Sequence, residues 1–201
     1  MVPDIDAWQP WHPAVLAKRL AGLSVPWCVA AGWALDLFRG GQTRDHHDVE
    51  IAVPRARFAE VARRFPGMDF HVPVDGVLVA ASPDTLALAA EHQTWALDRV
   101  AGCWRFDVFR EHHDGDVWIC RRDARIRRPY AEVIRPDASG LPYLAPEVVL
   151  LFKAKAPREK DAVAVAGVLP LLDADQRRWL ADAIALVHPD HSWQAALARV
   201  G

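Results

Sequence analysis

Residues 27–53 read WCVAAGWALDLFRGGQTRDHHDVEIAV, and this stretch decides the fold. The apolar run at residues 27–31 predicts a buried strand. Gly32 then opens a helix over residues 33–39, which a pair of glycines ends. A polar loop follows, and residues 48–53 alternate charged with apolar side chains, which predicts a second strand. The order strand, helix, loop, strand indicates an α/β unit with its helix N-terminus beside the second strand.

Two carboxylates, Asp48 and Glu50, stand two positions apart at the start of that second strand. On a strand this spacing puts both side chains on one face. Magnesium in proteins is usually held by a few such hard oxygen ligands, with substrate phosphates completing its coordination. An isolated pair of this kind is more often two solvent-facing charges of an edge strand. Gly32 supplies the missing context, because a glycine between strand and helix lets phosphate oxygens approach the backbone amides of a helix N-terminus.

Asp107 is a further candidate carboxylate, on another predicted strand. Residues 104–110 predict a strand on which Arg105 and Asp107 share one face. Asp107 would then be a metal ligand or a general base. The alternative is a surface acid paired with Arg105 or Arg110. The remaining candidates are three acids near by: Asp98, Asp114 and Asp116.

Two cationic side chains complete the candidate site. Arg44, in the loop before the second strand, either grips a phosphate or carboxylate in bidentate fashion or pins the loop to Asp36 or Asp45. Lys153, in a late helical segment, either reaches a triphosphate as a point charge or belongs to an ordinary basic helix face. Both interpretations are left open for each residue.

Residues 27–53 resemble the signature of the polymerase-β-like nucleotidyltransferase superfamily, in particular its aminoglycoside 2″-adenylyltransferase and lincosamide nucleotidyltransferase branches. The pattern there is G-G-W-A-[LI]-D, a short helix, and G-x-x-T-R-x-H-x-D-[ILV]-D. Residues 141–161, LPYLAPEVVLLFKAKAPREKD, are similar to the lysine-bearing helical segment of bacterial members. The resemblance implies the α+β nucleotidyltransferase fold, a mixed β-sheet flanked by helices with a C-terminal helical part.

The resemblance also implies a reaction. Asp48, Glu50 and Asp107 would hold Mg²⁺, with two ions expected, and a nucleoside triphosphate, ATP favoured, would be the co-substrate. A hydroxyl of a small antibiotic-like or natural-product acceptor would attack the α-phosphorus, and pyrophosphate would leave. The amides of Gly32 and Trp33 would cradle the β- and γ-phosphates, with Arg44 and Lys153 as further phosphate contacts.

Two departures from the superfamily pattern bear directly on the chemistry. Glu50 stands where the second carboxylate is usually Asp, and its extra methylene moves the oxygens roughly 1 Å outward although magnesium demands near-ideal octahedral geometry. Trp33 replaces the usual serine, which removes a phosphate-binding hydroxyl, although the aminoglycoside branch is similar in this respect. Glu50 therefore keeps open the alternative of a catalytically remodelled protein, or of a toxin-type relative that acts on RNA or protein or only binds nucleotide.

Asp45-His46-His47-Asp48 suggests a less favoured class, since it superficially resembles the core of DHH metal phosphoesterases. Those enzymes need further aspartates after upstream strands and a glycine-rich partner domain, and neither is evident in this sequence.

Beyond the signature, the middle of the chain predicts short strands and the end predicts helices. The strand runs are 70–74, 77–80, 94–97, 104–110 and 117–120, with Asp114-Gly115 as a hairpin turn. Asp173 and Gln176 form a capping pair for a helix that runs to Val187. We expect a nucleotidyltransferase-fold catalytic domain over residues 1–140 and a helical subdomain over residues 141–201 packed on it.

Composition limits the partners. A net charge of −2 and a pI of about 6.5 give no uniform basic footprint, so a nucleic-acid partner is not expected. The arginine cluster at residues 121–128 either binds a phosphate tail or forms the solvent-exposed edge of a strand. Three isolated cysteines predict buried thiols in a reducing compartment, and no apolar run approaches the length of a membrane span. We expect a cytoplasmic monomer or homodimer without membrane contacts.

Overall fold

The computed structural model describes residues 4–86, 91–155 and 165–198. Among them, ten strands form one mixed sheet in the order β4-β3-β5-β6-β2-β1-β10-β9, and β7 and β8 extend it from the end of β6. The strands are β1 (Cys28–Val29), β2 (Glu50–Pro54), β3 (Met68–Val74), β4 (Val77–Ala80), β5 (Gln93–Asp98), β6 (Cys103–Asp114), β7 (Val117–Ile119), β8 (Arg127–Pro129), β9 (Ile134–Pro136) and β10 (Pro142–Leu144).

Helices precede, connect and follow these strands. They are α1 (Pro13–Leu20), α2 (Ala31–Phe38), α3 (Phe58–Ala62), α4 (Pro83–Leu86), α5 (Tyr130–Val133), α6 (Pro146–Lys153), α7 (Ala174–Val187) and α8 (Trp193–Ala198). Among the described residues, no helix is long and apolar enough to cross a bilayer.

The centre of the sheet positions the site. Strand β2 lies between β1, which is antiparallel to it, and β6, which is parallel to it. Because β1 leads directly into α2, the N-terminus of α2 lies at the same edge of the sheet as the start of β2. The inner strands are apolar and fully buried, for example at Ile51, Val53, Phe106 and Val108, as expected for strands covered on their faces.

The predicted strand–helix–loop–strand unit is confirmed, with shifted boundaries. Helix α2 begins at Ala31, two residues before the prediction, and β1 is only two residues long. Strand β2 begins at Glu50, so the prediction that Asp48 lies within the strand is wrong. Asp48 is an exposed residue of the preceding loop.

Two turn and cap predictions are confirmed. Strands β6 and β7 form an antiparallel hairpin in which Asp114 pairs with Val117, and Gly115 adopts a φ of +53°. Asp173 and Gln176 form a reciprocal capping box on α7, which ends at Val187 as predicted.

Strands β8, β9 and β10 were not predicted. Strand β10 pairs in parallel with β1, so the sheet continues to Leu144, beyond the expected domain boundary at residue 140. The division into a catalytic domain and a helical subdomain stays a prediction. Helix α6 ends at Lys153, and most of the predicted helix over residues 159–169 lies outside the described residues.

Candidate active site

The N-terminus of α2 is built around a close approach at Gly32. A Cβ placed on Gly32 would lie 2.5 Å from Arg44 Nη2 and 2.9 Å from His46 Cε1. The loop after α2 therefore packs directly on the glycine backbone, and only glycine leaves room for it. The preceding residue, Ala31, has a φ of +48°, a left-handed conformation that favours glycine.

Asp36 organises this loop from inside α2. Its buried carboxylate accepts hydrogen bonds from the Thr43 amide at 3.0 Å, from the Thr43 hydroxyl, and from His46 Nε2 at 2.8 Å. The His46 ring also stacks on Trp33, with ring centroids 4.5 Å apart. The motif residues thus satisfy one another and fix the path of the chain from α2 to β2.

The protonation states agree with this network. Burial alone would raise the pKa of Asp36, but the hydrogen bonds from His46 and Thr43 outweigh it and lower the pKa. Burial lowers the pKa of His46, and the hydrogen bond to Asp36 only partly opposes this. A neutral imidazole that donates its Nε2 proton to an ionised carboxylate follows from both shifts.

Glu50 and Asp107 lie side by side on parallel strands. They are register partners on β2 and β6, so both side chains point to the same face of the sheet. Asp107 is buried, and its carboxylate accepts hydrogen bonds from the Gln93 side-chain amide and, at 3.3 Å, from the Thr94 backbone amide. The alternative of a surface acid paired with Arg105 or Arg110 is wrong, because Arg105 pairs instead with Asp98 at 3.1 Å.

Burial and mutual repulsion make these acids hard to ionise. Burial raises the pKa of Asp107 to about 7, and the charge of Asp48 adds to the rise. Burial likewise raises the pKa of Glu50 well above its usual value, with further contributions from Asp48 and Asp107, while Lys153 lowers it. The three carboxylates and Lys153 therefore share one electrostatic environment, and a cation there would relieve the repulsion.

The chemistry of the donors fits magnesium better than their present arrangement does. All three acids supply hard oxygens, which is the donor type that Mg²⁺ prefers. Within the described residues, however, no group of three or more His, Cys, Asp or Glu side chains is gathered as a metal site. The Asp107 carboxylate is engaged by two hydrogen bonds from β5, and Asp48 lies in the loop before β2.

A pocket of about 410 Å³ opens beside Glu50. Residues of α2, β2, β6 and the C-terminal end of α6 line it, among them Ala31 and Lys153. Its walls are apolar at Phe109 and Phe152. Lys153 thus lies in the same cavity as the predicted metal ligand Glu50, whereas Gly32, Trp33 and Arg44 do not line it.

Sequence reasoning missed Glu111 at the inner end of this pocket. Glu111 lies on the same β6 face as Asp107, is buried, and accepts hydrogen bonds from Trp118 Nε1 at 3.1 Å and Arg121 Nη1 at 3.5 Å. Burial raises its pKa, which the charge of Arg121 opposes. The predicted strand ended at residue 110, whereas β6 runs to Asp114, so the alternation that marks Glu111 was cut off.

The other candidates have structural partners. Arg44 donates to the Asp45 backbone carbonyl at 2.9 Å, and it is Thr43 and His46 that bind Asp36. Asp114 and Asp116 are exposed at the hairpin, away from Glu50. In the basic cluster, Arg121 and Arg122 line the pocket, whereas Arg125 is exposed and pairs with Asp123.

The phosphoesterase-like motif does not form a metal cluster. His46 is engaged with Asp36 and Trp33, whereas Asp45, His47 and Asp48 are exposed. These four consecutive residues therefore belong to the loop that leads into β2.

Comparison with solved structures establishes the fold. The lincomycin-bound lincosamide antibiotic adenylyltransferase LnuA matches with a TM-score of 0.55 at 13% identity, over 79% of this chain and 95% of the other. The solution structure of the antibiotic-resistance factor ANT(2″)-Ia matches with a TM-score of 0.55 at 15% identity, over 92% of this chain and 91% of the other. ANT(2″)-Ia in complex with adenylyl-2″-tobramycin matches with a TM-score of 0.53 at 13% identity, over 85% of this chain and 94% of the other.

The nucleotidyltransferase fold expected from the signature is confirmed. Residues 14–98, which include the segment quoted at the outset, match the model of the aminoglycoside-2″-adenylyltransferase family. The resemblance stated from the signature is thereby confirmed. No curated protein sequence matches the chain significantly.

Proposed function

We propose that the chain is a magnesium-dependent enzyme of the cytoplasm. It would transfer a nucleoside monophosphate from a nucleoside triphosphate, with ATP as the favoured donor, to a hydroxyl of a small antibiotic-like molecule or natural product. The observation that carries the proposal is the pairing of Glu50 with Asp107 in register on parallel strands, with Asp48 two residues before Glu50. The solved structures support the acceptor class, since one is bound to lincomycin and another is in complex with adenylyl-2″-tobramycin.

Asp48, Glu50 and Asp107 would hold the metal. When bound, Mg²⁺ would neutralise charge on the triphosphate and lower the pKa of the acceptor hydroxyl. Its binding requires Asp107 to be ionised, and the Gln93 and Thr94 hydrogen bonds favour that charged form.

The chain's own groups supply binding and proton transfer. Asp107 takes the proton of the acceptor hydroxyl. The leading amides of α2, which have no intrahelical acceptors, bind phosphate oxygens at the positive end of the helix dipole. Lys153, which lines the same pocket as Glu50, binds the triphosphate, and Arg44 holds the loop against Gly32.

Incubation with each labelled nucleoside triphosphate, Mg²⁺ and a set of hydroxylated antibiotics tests the proposal. We expect metal-dependent pyrophosphate release and a nucleotidylated product by mass spectrometry. Asp48→Asn should abolish release, and Asp45→Asn, an exposed acid of the same loop, is the matched control. Wild-type turnover in Asp48→Asn would refute the assignment.

Binding is a separate readout from turnover. Calorimetric titration with Mg-ATP, Mg-CTP, Mg-GTP and Mg-UTP should give metal-dependent binding of at least one nucleotide. Binding without transfer to any acceptor would instead favour a remodelled, binding-only protein. Glu50→Asp distinguishes these outcomes further, because a gain in activity would mean that the longer side chain holds the site away from its optimum.

A further inference from the structure

The pocket carries an excess of positive charge, and Arg121 and Arg122 lie at its Glu111 end. Four cationic side chains line the cavity against two acidic ones, and one of these acids, Glu50, belongs to the predicted metal site. The other, Glu111, has both carboxylate oxygens engaged, one by Trp118 and one by Arg121. The cations are Arg121, Arg122, Lys153 and Lys155.

The two arginines at this end are fixed in place. The Arg121 guanidinium lies over the Phe152 ring, 4.1 Å from its centroid, and is tied to Glu111. Arg122 donates to the Phe152 carbonyl at 3.3 Å, while its buried Nε has no hydrogen-bond partner among the described residues. A pair of adjacent guanidiniums with an unpartnered buried donor is the arrangement expected of an anion-binding subsite.

Nearby histidines respond to the same field. The pKa of His92 falls to about 4, first because of burial and then because of Arg121, Arg110, Arg55 and Arg122. The pKa of His188 is lowered by burial, and Arg122 and Lys155 contribute to the shift. Both imidazoles stay neutral, so they add no positive charge to the subsite and do not compete for its anion.

The subsite is separate from the carboxylates that would hold the metal. Glu111, the partner of Arg121, follows Asp107 by four residues on β6, which is roughly 13 Å along a strand. Lys153, by contrast, is coupled electrostatically to Glu50 and so serves the metal end. The triphosphate is already provided for there by the α2 N-terminus, which leaves the arginine end for the second substrate.

We infer that Arg121 and Arg122 bind an anionic group, a phosphate or carboxylate, on the acceptor, so that the preferred acceptor is a hydroxylated anion and not a polycationic aminoglycoside. The inference rests on the proposed function and narrows its substrate class. The ammonium groups of an aminoglycoside would face this excess of cations, whereas an anion would neutralise it.

Calorimetry on the protein saturated with Mg²⁺ and a non-hydrolysable ATP analogue tests the inference, with glucose 6-phosphate, glucuronate, glucose and kanamycin as probes. We expect glucose 6-phosphate or glucuronate to bind and glucose to bind at least about tenfold more weakly. The phosphate and carboxylate probes together determine which anion the subsite prefers.

Two variants with opposite expected effects on anion binding sharpen the test. Arg122→Gln should weaken binding of the anionic probe about tenfold or more, because a charge-assisted hydrogen bond is lost. Glu111→Gln should strengthen it, because Arg121 loses its internal counter-charge. Arg125→Gln, which removes an exposed arginine paired with Asp123, should change nothing. Lys155→Gln, at an exposed residue on the pocket rim, is the fallback if Arg122→Gln melts at a lower temperature.

Three results would overturn the inference. Kanamycin binding that Glu111→Gln weakens would mean a cationic acceptor. Competition between glucose 6-phosphate and the ATP analogue, with both weakened by Arg122→Gln, would mean a triphosphate subsite. No binding of either anionic probe, with or without nucleotide, would mean no subsite. Failure of the ATP analogue itself to bind contradicts only the proposed function, since the probes are also titrated onto the nucleotide-free protein.

Discussion

Charges are balanced in different ways in the signature segment, residues 27–53, and in the strand–pocket region formed by β6 and the residues after β7. In the signature segment, Asp36 is paired with His46 and Thr43, and Gly32 is covered by the loop that these contacts fix. In the strand–pocket region, Asp107 and Glu111 are buried acids with raised pKa values, and adjacent arginines repel each other. The Asp36 network of the first region is internally satisfied, whereas the second region, together with Glu50 at the end of the first, holds charges that a substrate or metal would complete.

The largest expected effect separates the two buried acids of β6. Asp107→Asn removes the proposed base and metal ligand, so pyrophosphate release at saturating substrate should fall on the order of a thousandfold. Glu111→Gln should leave the maximal rate within a few-fold of wild type, because Glu111 lies at the far end of the pocket. Initial-rate assays measure both. An equal loss in the two variants would remove the distinction between a catalytic and a binding end.

The pH dependence of stability should expose the unpaired charge of Asp107. Its pKa rises to about 7 in the folded protein, so the folded state binds a proton that the unfolded state has lost above pH 4. Stability therefore decreases as pH rises from about 4 to 7, by about 2 kcal/mol between pH 5 and pH 7. Metal-free Asp107→Asn has no ionisable group at this position, so it should not show this loss of stability.

Urea unfolding at pH 5 and pH 9, without metal, makes the comparison. Asp107→Asn should be nearer to wild type at pH 5 and clearly more stable than it at pH 9. Added Mg²⁺ should stabilise wild type at pH 9 and have little effect on the variant. A parallel pH dependence of the two proteins would contradict the raised pKa.

The signature segment was predictable because its information is local. The residues that define it lie within a span of nineteen, and each has a particular backbone or side-chain role at its position. They are Gly32, Asp36, Thr43, His46, Asp48 and Glu50. The alternation in residues 104–110 and the Asp114-Gly115 turn likewise predicted β6 and its hairpin. Even here the strand start was misplaced, because alternation alone does not tell whether Asp48 hydrogen bonds in the ladder.

The rest of the sheet was not predictable, because it depends on long-range pairing. Strands β8, β9 and β10 are three residues each and all contain proline, which argues against a strand in isolation. Strand β10 becomes a strand only by pairing with β1, more than a hundred residues earlier. The burial of Arg110 and Glu111 was equally hidden, since charged residues are rarely buried unless paired and their partners are distant in sequence.

A smaller effect is expected from breaking the balance of the signature segment. Asp36→Asn keeps the shape but replaces one acceptor oxygen by a donor, which opposes the donors of His46 and Thr43. We expect a loss of about 2 kcal/mol in the free energy of unfolding, because buried donors lose their acceptor. Asp45→Asn, in the exposed part of the same loop, should cost almost nothing. Urea denaturation of both variants provides the measurement, and equal stabilities would mean that the Asp36 network does not hold the loop.

The smallest expected effect is a gain, at the one strained position of the signature segment. Ala31 has a φ of +48°, and the pattern that the segment resembles has glycine there. The left-handed conformation costs an alanine about 1–2 kcal/mol, whereas glycine loses roughly 0.5–1 kcal/mol more conformational entropy on folding. Ala31→Gly should therefore stabilise the protein by about 0.5–1 kcal/mol. Ala34→Gly, in the interior of the same helix, should instead destabilise it by about 1 kcal/mol. Denaturation midpoints that fall in both variants would mean that Ala31 is not strained, and that the α2 N-terminus is as well satisfied as the rest of the segment.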